Sequence, residues 1–129
     1  MTGKLLLDTN IIIPLFAQDP TVLKHLQEAE EVFIPSIVLG ELYFGASKSK
    51  RAKQNIARID EFAINNTILG CDIETARHYG EIKTALGKKG RPIPENDIWI
   101  AAIALQHKLI LITRDAHFEE VDNLRTESW

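Results

Sequence analysis

The chain has 129 residues, 45% of them hydrophobic, which is enough for one buried core and too few for two, so residues 1–129 are expected to form one domain. Fifteen lysines and arginines against eighteen aspartates and glutamates leave a net charge of −3, which argues against a strongly basic nucleic-acid binder and confines any nucleic-acid contact to a local patch. The lone cysteine, Cys71, excludes an intrachain disulfide and a cysteine-rich metal site, fits a reducing, cytoplasmic setting, and is expected to be a small buried apolar residue.

Lys4 to Leu7 reads as a buried strand, and its apolar continuation to Ala17 is broken by Asp8, Asn10 and Pro14. No apolar run approaches the ~20 residues that span a bilayer, so no membrane insertion is expected. Val32 to Ile34, Thr67 to Leu69 and Leu109 to Ile112 repeat the strand pattern. Between the strands, Thr21 to Ala29, Ser36 to Ala46, Ala52 to Ile64, Ile73 to Leu86 and Asp97 to Gln106 space their apolar residues as helices do, with Ser36 a plausible N-cap. Strands separated by helices of this length pair in parallel through crossovers, so the fold class is α/β.

Local features qualify this outline. Ile98 to Leu105 is apolar nearly all round, which marks a helix packed on more than one side. The basic run Lys48 to Lys53 opens the next helix as either a solvated face or an RNA-backbone contact. Leu42-Tyr43-Phe44 serves an interface or the core. Gly87 to Pro92 reads as an exposed loop.

Four acids stand where apolar runs end or helices begin: Asp8, Glu41, Asp97 and Asp115. Asp8 follows the first strand directly and Asp115 follows the last by three residues, with Thr113 between. Glu41 lies about 7 Å up a helix that starts at a strand's carboxyl end. Singly, each has an ordinary explanation as a turn former, an exposed helix position or, for Asp97, a favourable partner of a helix dipole. Parallel strands, however, point their carboxyl ends toward one edge, where open sheets bind ligands, so three of the acids arrive there together and Asp97 can join them. Two unit charges ~4 Å apart repel by about 4 kcal/mol at an effective dielectric of 20. Four carboxylates therefore need shared protons or a hard cation with oxygen ligands, Mg²⁺ or Mn²⁺. A carboxylate-bound ion of this kind commonly acts on phosphoryl groups without a nucleophilic side chain. His25, His78, His107 and His117 show no zinc-ligand pairing and are expected in scattered surface or packing roles. No phosphate-binding glycine motif is present, which argues against a nucleotide cofactor.

The blocks Leu6 to Asn10, Glu41 to Ala46, Ile93 to Ala102 and Leu111 to Asp115 resemble, in order, the signature blocks of PIN-domain ribonucleases, most closely the VapC-type toxins of toxin–antitoxin pairs. His117-Phe118 also suits that family. The resemblance implies a three-layer α/β/α fold with a central, mostly parallel sheet and Mg²⁺- or Mn²⁺-dependent endoribonuclease activity, with Asp8, Glu41, Asp97 and Asp115 as the acidic quartet. It further implies Asp8 and Asp97 as first-choice metal ligands, Glu41 and Asp115 completing the pocket or positioning water, and Asn10 and Thr113 in support. The resemblance also implies a homodimer acting on RNA and inhibited by an antitoxin whose tail occupies the acidic groove. Glu95 adds a fifth acid that either points to solvent or makes a contact behind the site.

Two other readings compete. A haloacid-dehalogenase-type phosphatase also begins with a strand ending in Asp, but it requires a second Asp where this chain has Asn10. A non-catalytic interaction module on the same fold is the other.

Overall fold

A computed structural model of the chain describes residues 3–129. Its sheet is built outward from β1 (Lys4–Leu7), whose three leucines are shielded on both faces, as parallel sheets require. The chain passes through α1 (Thr9–Phe16) and α2 (Pro20–Glu28) to β2 (Glu31–Pro35), then through α3 (Ser36–Ser47) and α4 (Ala52–Ile64) to β3 (Thr67–Leu69). It returns past β1 through α5 (Ile73–Lys89) and α6 (Glu95–His107) to β4 (Ile110–Ile112). A 3₁₀ helix, Ala116–Glu120, leads to β5 (Thr126–Glu127).

The strand order is β3-β2-β1-β4-β5, and every strand pair is parallel. Leu5, Leu6 and Leu7 stand beside Ile110, Leu111 and Ile112 of β4, while Lys4, Leu5 and Leu6 stand beside Glu31, Val32 and Phe33 of β2. The order reverses direction at β1: the chain builds out to β2 and β3, then crosses back to β4. Because parallel crossovers are right-handed, this reversal puts the two helix groups on opposite faces and opens a crevice at the carboxyl ends of β1 and β4.

The apolar helix behaves as its composition predicts. Ile98 and Ile100 to Ala104 of α6 are all buried, and Ala101 and Ala102 let the helix approach its neighbours closely. No helix among the described residues is long and apolar enough to cross a membrane.

Four expectations are corrected. Cys71 is exposed rather than buried, because it follows the edge strand β3 and precedes Asp72, the N-cap of α5, outside the core. Ser36 is the first residue of α3 rather than its cap; Pro35, in extended conformation, occupies the cap without a side-chain bond. The basic run does not open α4 as a block: Lys48 caps the end of α3 and α4 starts only at Ala52. Gly87 to Lys89 continue α5 rather than opening a loop, the helix ending only at Gly90 in the left-handed conformation, so the loop is confined to the residues between Gly90 and α6. Of the α3 segment whose role the sequence left open, Leu42 faces the core while Phe44 remains 64% exposed under the Lys48 ammonium.

Candidate metal centre

The turn out of β1 is set by Asp8. Its backbone is extended (φ −80°, ψ 163°), its N–H completes the ladder to the Ile112 carbonyl at 3.0 Å, and its Oδ1 accepts from the Thr9 N–H at 2.8 Å, capping α1. One residue thus ends the strand and begins the helix, and its carboxylate is left 3% exposed at the crevice. Oδ2 accepts from the buried Thr113 hydroxyl at 2.8 Å, which ties the end of β1 to the end of β4.

Asn10 fixes the segment after β4. Its Oδ1 accepts from the Arg114 N–H at 3.0 Å, so its Nδ2 faces Thr113 Oγ1 at 3.4 Å and donates to Asp115 Oδ2 at 3.2 Å. Thr113 Oγ1 in turn accepts from the Asp115 N–H at 3.1 Å. From α3, Glu41 is held by the Thr9 hydroxyl, which donates to its Oε1 at 2.8 Å. From α6, Asp97 enters in the first turn and meets His117 Nε2 at 2.6 Å from its Oδ2. Asp8, Glu41, Asp97 and Asp115 therefore line one cleft of about 600 Å³, with Asn10 and His117 in its wall and Thr113 beneath it.

The electrostatics of the cleft are unfavourable without a cation. Burial pushes the Asp8 carboxyl above its ordinary pKa, and the Asp97 and Asp115 charges add to the rise against the Thr113 and Thr9 hydrogen bonds. Asp97 is raised as well, by burial first, with Glu41 and Asp115 reinforcing and His117 opposing. Among the described residues no lysine or arginine pairs with any of the four. Arg114, adjacent to Asp115, turns away to Asp19 and to the Trp129 carbonyl. Asp97, Asp115 and His117 offer ligand atoms that all lie within 4.8 Å of one another. That oxygen-rich donor set, lacking an internal counter-charge, fits a hard divalent ion.

The residue pattern alone places His117 with the other histidines in surface or packing roles; the family resemblance takes in His117-Phe118, two residues after Asp115, but gives the histidine no part in the site. Glu95 sits on the cleft wall, yet its carboxylate is held by Lys83 at 2.5 Å and by the Tyr79 hydroxyl, both on α5. Those two partners lower its pKa.

The PIN domain family model matches residues 5–124. The chain is 43% identical to Ribonuclease VapC2 of Haemophilus influenzae over 129 residues, covering 98% of each chain. The chain belongs to the VapC family of PIN-domain ribonucleases. It is also 36% identical to the tRNA(fMet)-specific endonuclease VapC of Shigella flexneri, with 98% of each chain covered. The crystal structure of DNA-bound VapBC from Salmonella typhimurium contains a chain that superposes with a TM-score of 0.91 at 31% identity, again over 98% of both chains. The five-stranded parallel sheet flanked by helices is thus the VapC-type PIN fold, and the acid cleft lies at its switch point.

Proposed function

We propose that this chain is a Mg²⁺- or Mn²⁺-dependent endoribonuclease whose catalytic residues are Asp8, Glu41, Asp97 and Asp115, acting as the toxin of a VapBC-type pair. The observation that carries the reading is the convergence of four carboxylates from the end of β1, α3, α6 and the segment after β4 on one cleft with no lysine or arginine partner among the described residues. Asp8 and Asp97, the acids that the resemblance names as first-choice ligands and whose burial disfavours an uncompensated charge, hold the ion, with Asp115 and His117 offering the ligand atoms grouped within 4.8 Å of that of Asp97. When bound, the ion polarises the phosphodiester, acidifies a water molecule and neutralises developing charge. Asp115 and Glu41 complete the pocket and orient water, each kept in place by a neutral donor, Asn10 and Thr9 respectively. Asn10 and Thr113 support the site by locking the end of β4 to the end of β1.

Asn10 also stands where a haloacid-dehalogenase-type phosphatase needs its second carboxylate, and here that position serves as a clamp. The partner is an antitoxin chain. Support comes from the VapBC assembly of the Salmonella relative and from the excess of negative charge in the cleft, which suits a cationic segment. We further infer one nuclease domain over residues 1–129, a homodimer, and action on RNA in the cytoplasm.

The test uses purified protein free of antitoxin. RNA should be cleaved in millimolar Mg²⁺ or Mn²⁺ and left intact with excess chelator, and the ion should raise Tm in the absence of RNA. Cleavage at the same rate in chelator would overturn the metal assignment.

A further inference from the structure

The acid cleft continues beyond Glu41. Thr9, Ile13 and Glu41 are shared with a second depression of about 290 Å³ between α1, α3 and α4, whose wall carries Phe16, Ile59, Asn55 and Arg58. The Arg58 guanidinium lies 4.6 Å from the centre of the Phe16 ring and donates to the Phe16 carbonyl, so it is held beside the depression. Asn55 joins the depression to the turn between α3 and α4: its Nδ2 donates to Ser49 Oγ at 2.9 Å, and its N–H to the Arg51 carbonyl at 2.9 Å. That turn exposes Lys48, Lys50, Arg51 and, at the start of α4, Lys53.

None of these four, nor Arg58, pairs with a carboxylate among the described residues; Lys24, Lys88, Arg91, Lys108 and Arg125 do not either, but those five are scattered along the chain, whereas the first five are grouped on α4 and the turn before it. The α4 acid Asp60 is engaged elsewhere, accepting from the Tyr43 hydroxyl at 2.5 Å. A chain of net charge −3 therefore groups unpaired cations at Arg58 in the wall of the depression and on the turn that Asn55 ties to it, and the depression shares Thr9, Ile13 and Glu41 with the acid cleft.

We propose that this groove is the track of the RNA strand: a nucleotide flanking the scissile phosphate lies in the apolar depression beside Arg58, and the following phosphates cross the turn at Lys50, Arg51 and Lys53. The inference rests on the ribonuclease reading of the acid cleft. An acidic cleft repels a polyanion, so the attraction must come from cations outside it, close enough to hold the strand yet clear of the metal-binding carboxylates. The apolar wall and a guanidinium backed by an aromatic ring provide stacking and phosphate contact. Neither reads base edges, so this segment of the track tolerates any sequence.

The test compares wild-type protein with the triple variant Lys50→Gln, Arg51→Gln, Lys53→Gln and, separately, with Arg58→Gln and Arg58→Lys, on a single-stranded RNA over a range of salt. Each neutralised phosphate contributes a slope of about −0.7 in log affinity against log salt for single strands, so the triple variant should flatten that slope by about 2. It should raise KM roughly tenfold near physiological salt, while the Mg²⁺-induced rise in Tm is retained. Arg58→Lys should recover part of what Arg58→Gln loses. Binding read by anisotropy in an Asp97→Asn background separates the track from cleavage. Unchanged KM and salt slope in a protein whose wild type cleaves RNA would overturn the track and leave the ribonuclease reading standing. A turn used only by a protein partner would give that same result. Wild-type protein that neither binds nor cleaves RNA in metal would remove both.

Discussion

His117 Nε2 lies 2.6 Å from Asp97 Oδ2, joining the segment after β4 to the first turn of α6 across the acid cleft. The imidazole also packs against buried Phe118, with ring centres 4.9 Å apart, so its position is set by the core. His117 therefore acts as an orienting partner of Asp97 and adds one nitrogen to the donors within 4.8 Å.

Replacing His117 with Ala should lower the cleavage rate or apparent metal affinity by about 10- to 100-fold, the usual cost of losing a group that orients a metal ligand. Titrating Mg²⁺ into the cleavage assay checks this: the variant should recover activity at higher metal. Full loss at saturating metal would give His117 a larger part than orientation.

Asp8→Asn should abolish cleavage yet stabilise the metal-free protein by about 1 kcal/mol, or a few degrees of Tm. The sign follows from the raised pKa values of Asp8 and Asp97. A carboxyl whose pKa is higher folded than unfolded favours folding below its unfolded pKa, about 3.9 for Asp, and loses that contribution as pH rises through the folded pKa. Because Asp72 and Glu95, with lowered pKa values, act with the opposite sign in both proteins, the readout is the difference: without metal, the Tm advantage of Asp8→Asn over wild type should grow as pH increases above about 4. Melting curves with and without Mg²⁺ test both statements, and a variant less stable than wild type in chelator would contradict them.

Lys108→Gly should stabilise the fold. Lys108 ends α6 in the left-handed region at φ 56°, a conformation that costs a residue with a Cβ roughly 1–2 kcal/mol. The greater freedom of glycine in the unfolded chain returns about 0.5–1 kcal/mol of that, leaving a net gain of about 0.5–1 kcal/mol in chemical denaturation. Metal-dependent cleavage should be unchanged, since Lys108 is exposed at the end of α6 remote from Asp97 in the first turn.

What the sequence made legible was governed by periodicity and topology. Buried strands and the all-round apolar α6 carry strong patterns, and parallel pairing carried Asp8, Glu41 and Asp115 to one edge before any coordinates. The helix α1 was hidden because Asp8, Asn10 and Pro14 read as breaks, whereas Asp8 caps the helix and Pro14 lies inside it. The strand β5, of two residues, is too short to have a period. The role of His117 was obscured for a different reason: its place two residues after Asp115 puts it near the site, but its bond to Asp97 depends on how the 3₁₀ helix folds back toward α6, which no spacing encodes. Cys71 failed on composition alone, since a cysteine's usual burial says nothing about a residue placed just before a helix cap at a sheet edge.

The central claim, one metal-dependent RNA-cleaving site made by four convergent carboxylates, is tested most directly by the single-turnover cleavage rate of Asp97→Asn against wild type across a Mg²⁺ titration. The account predicts metal-dependent cleavage by wild-type protein and, in the correctly folded variant, a rate lower by at least about 10³-fold, equivalent to about 4 kcal/mol of barrier. A variant that cleaves at the wild-type rate with the same metal dependence would contradict it.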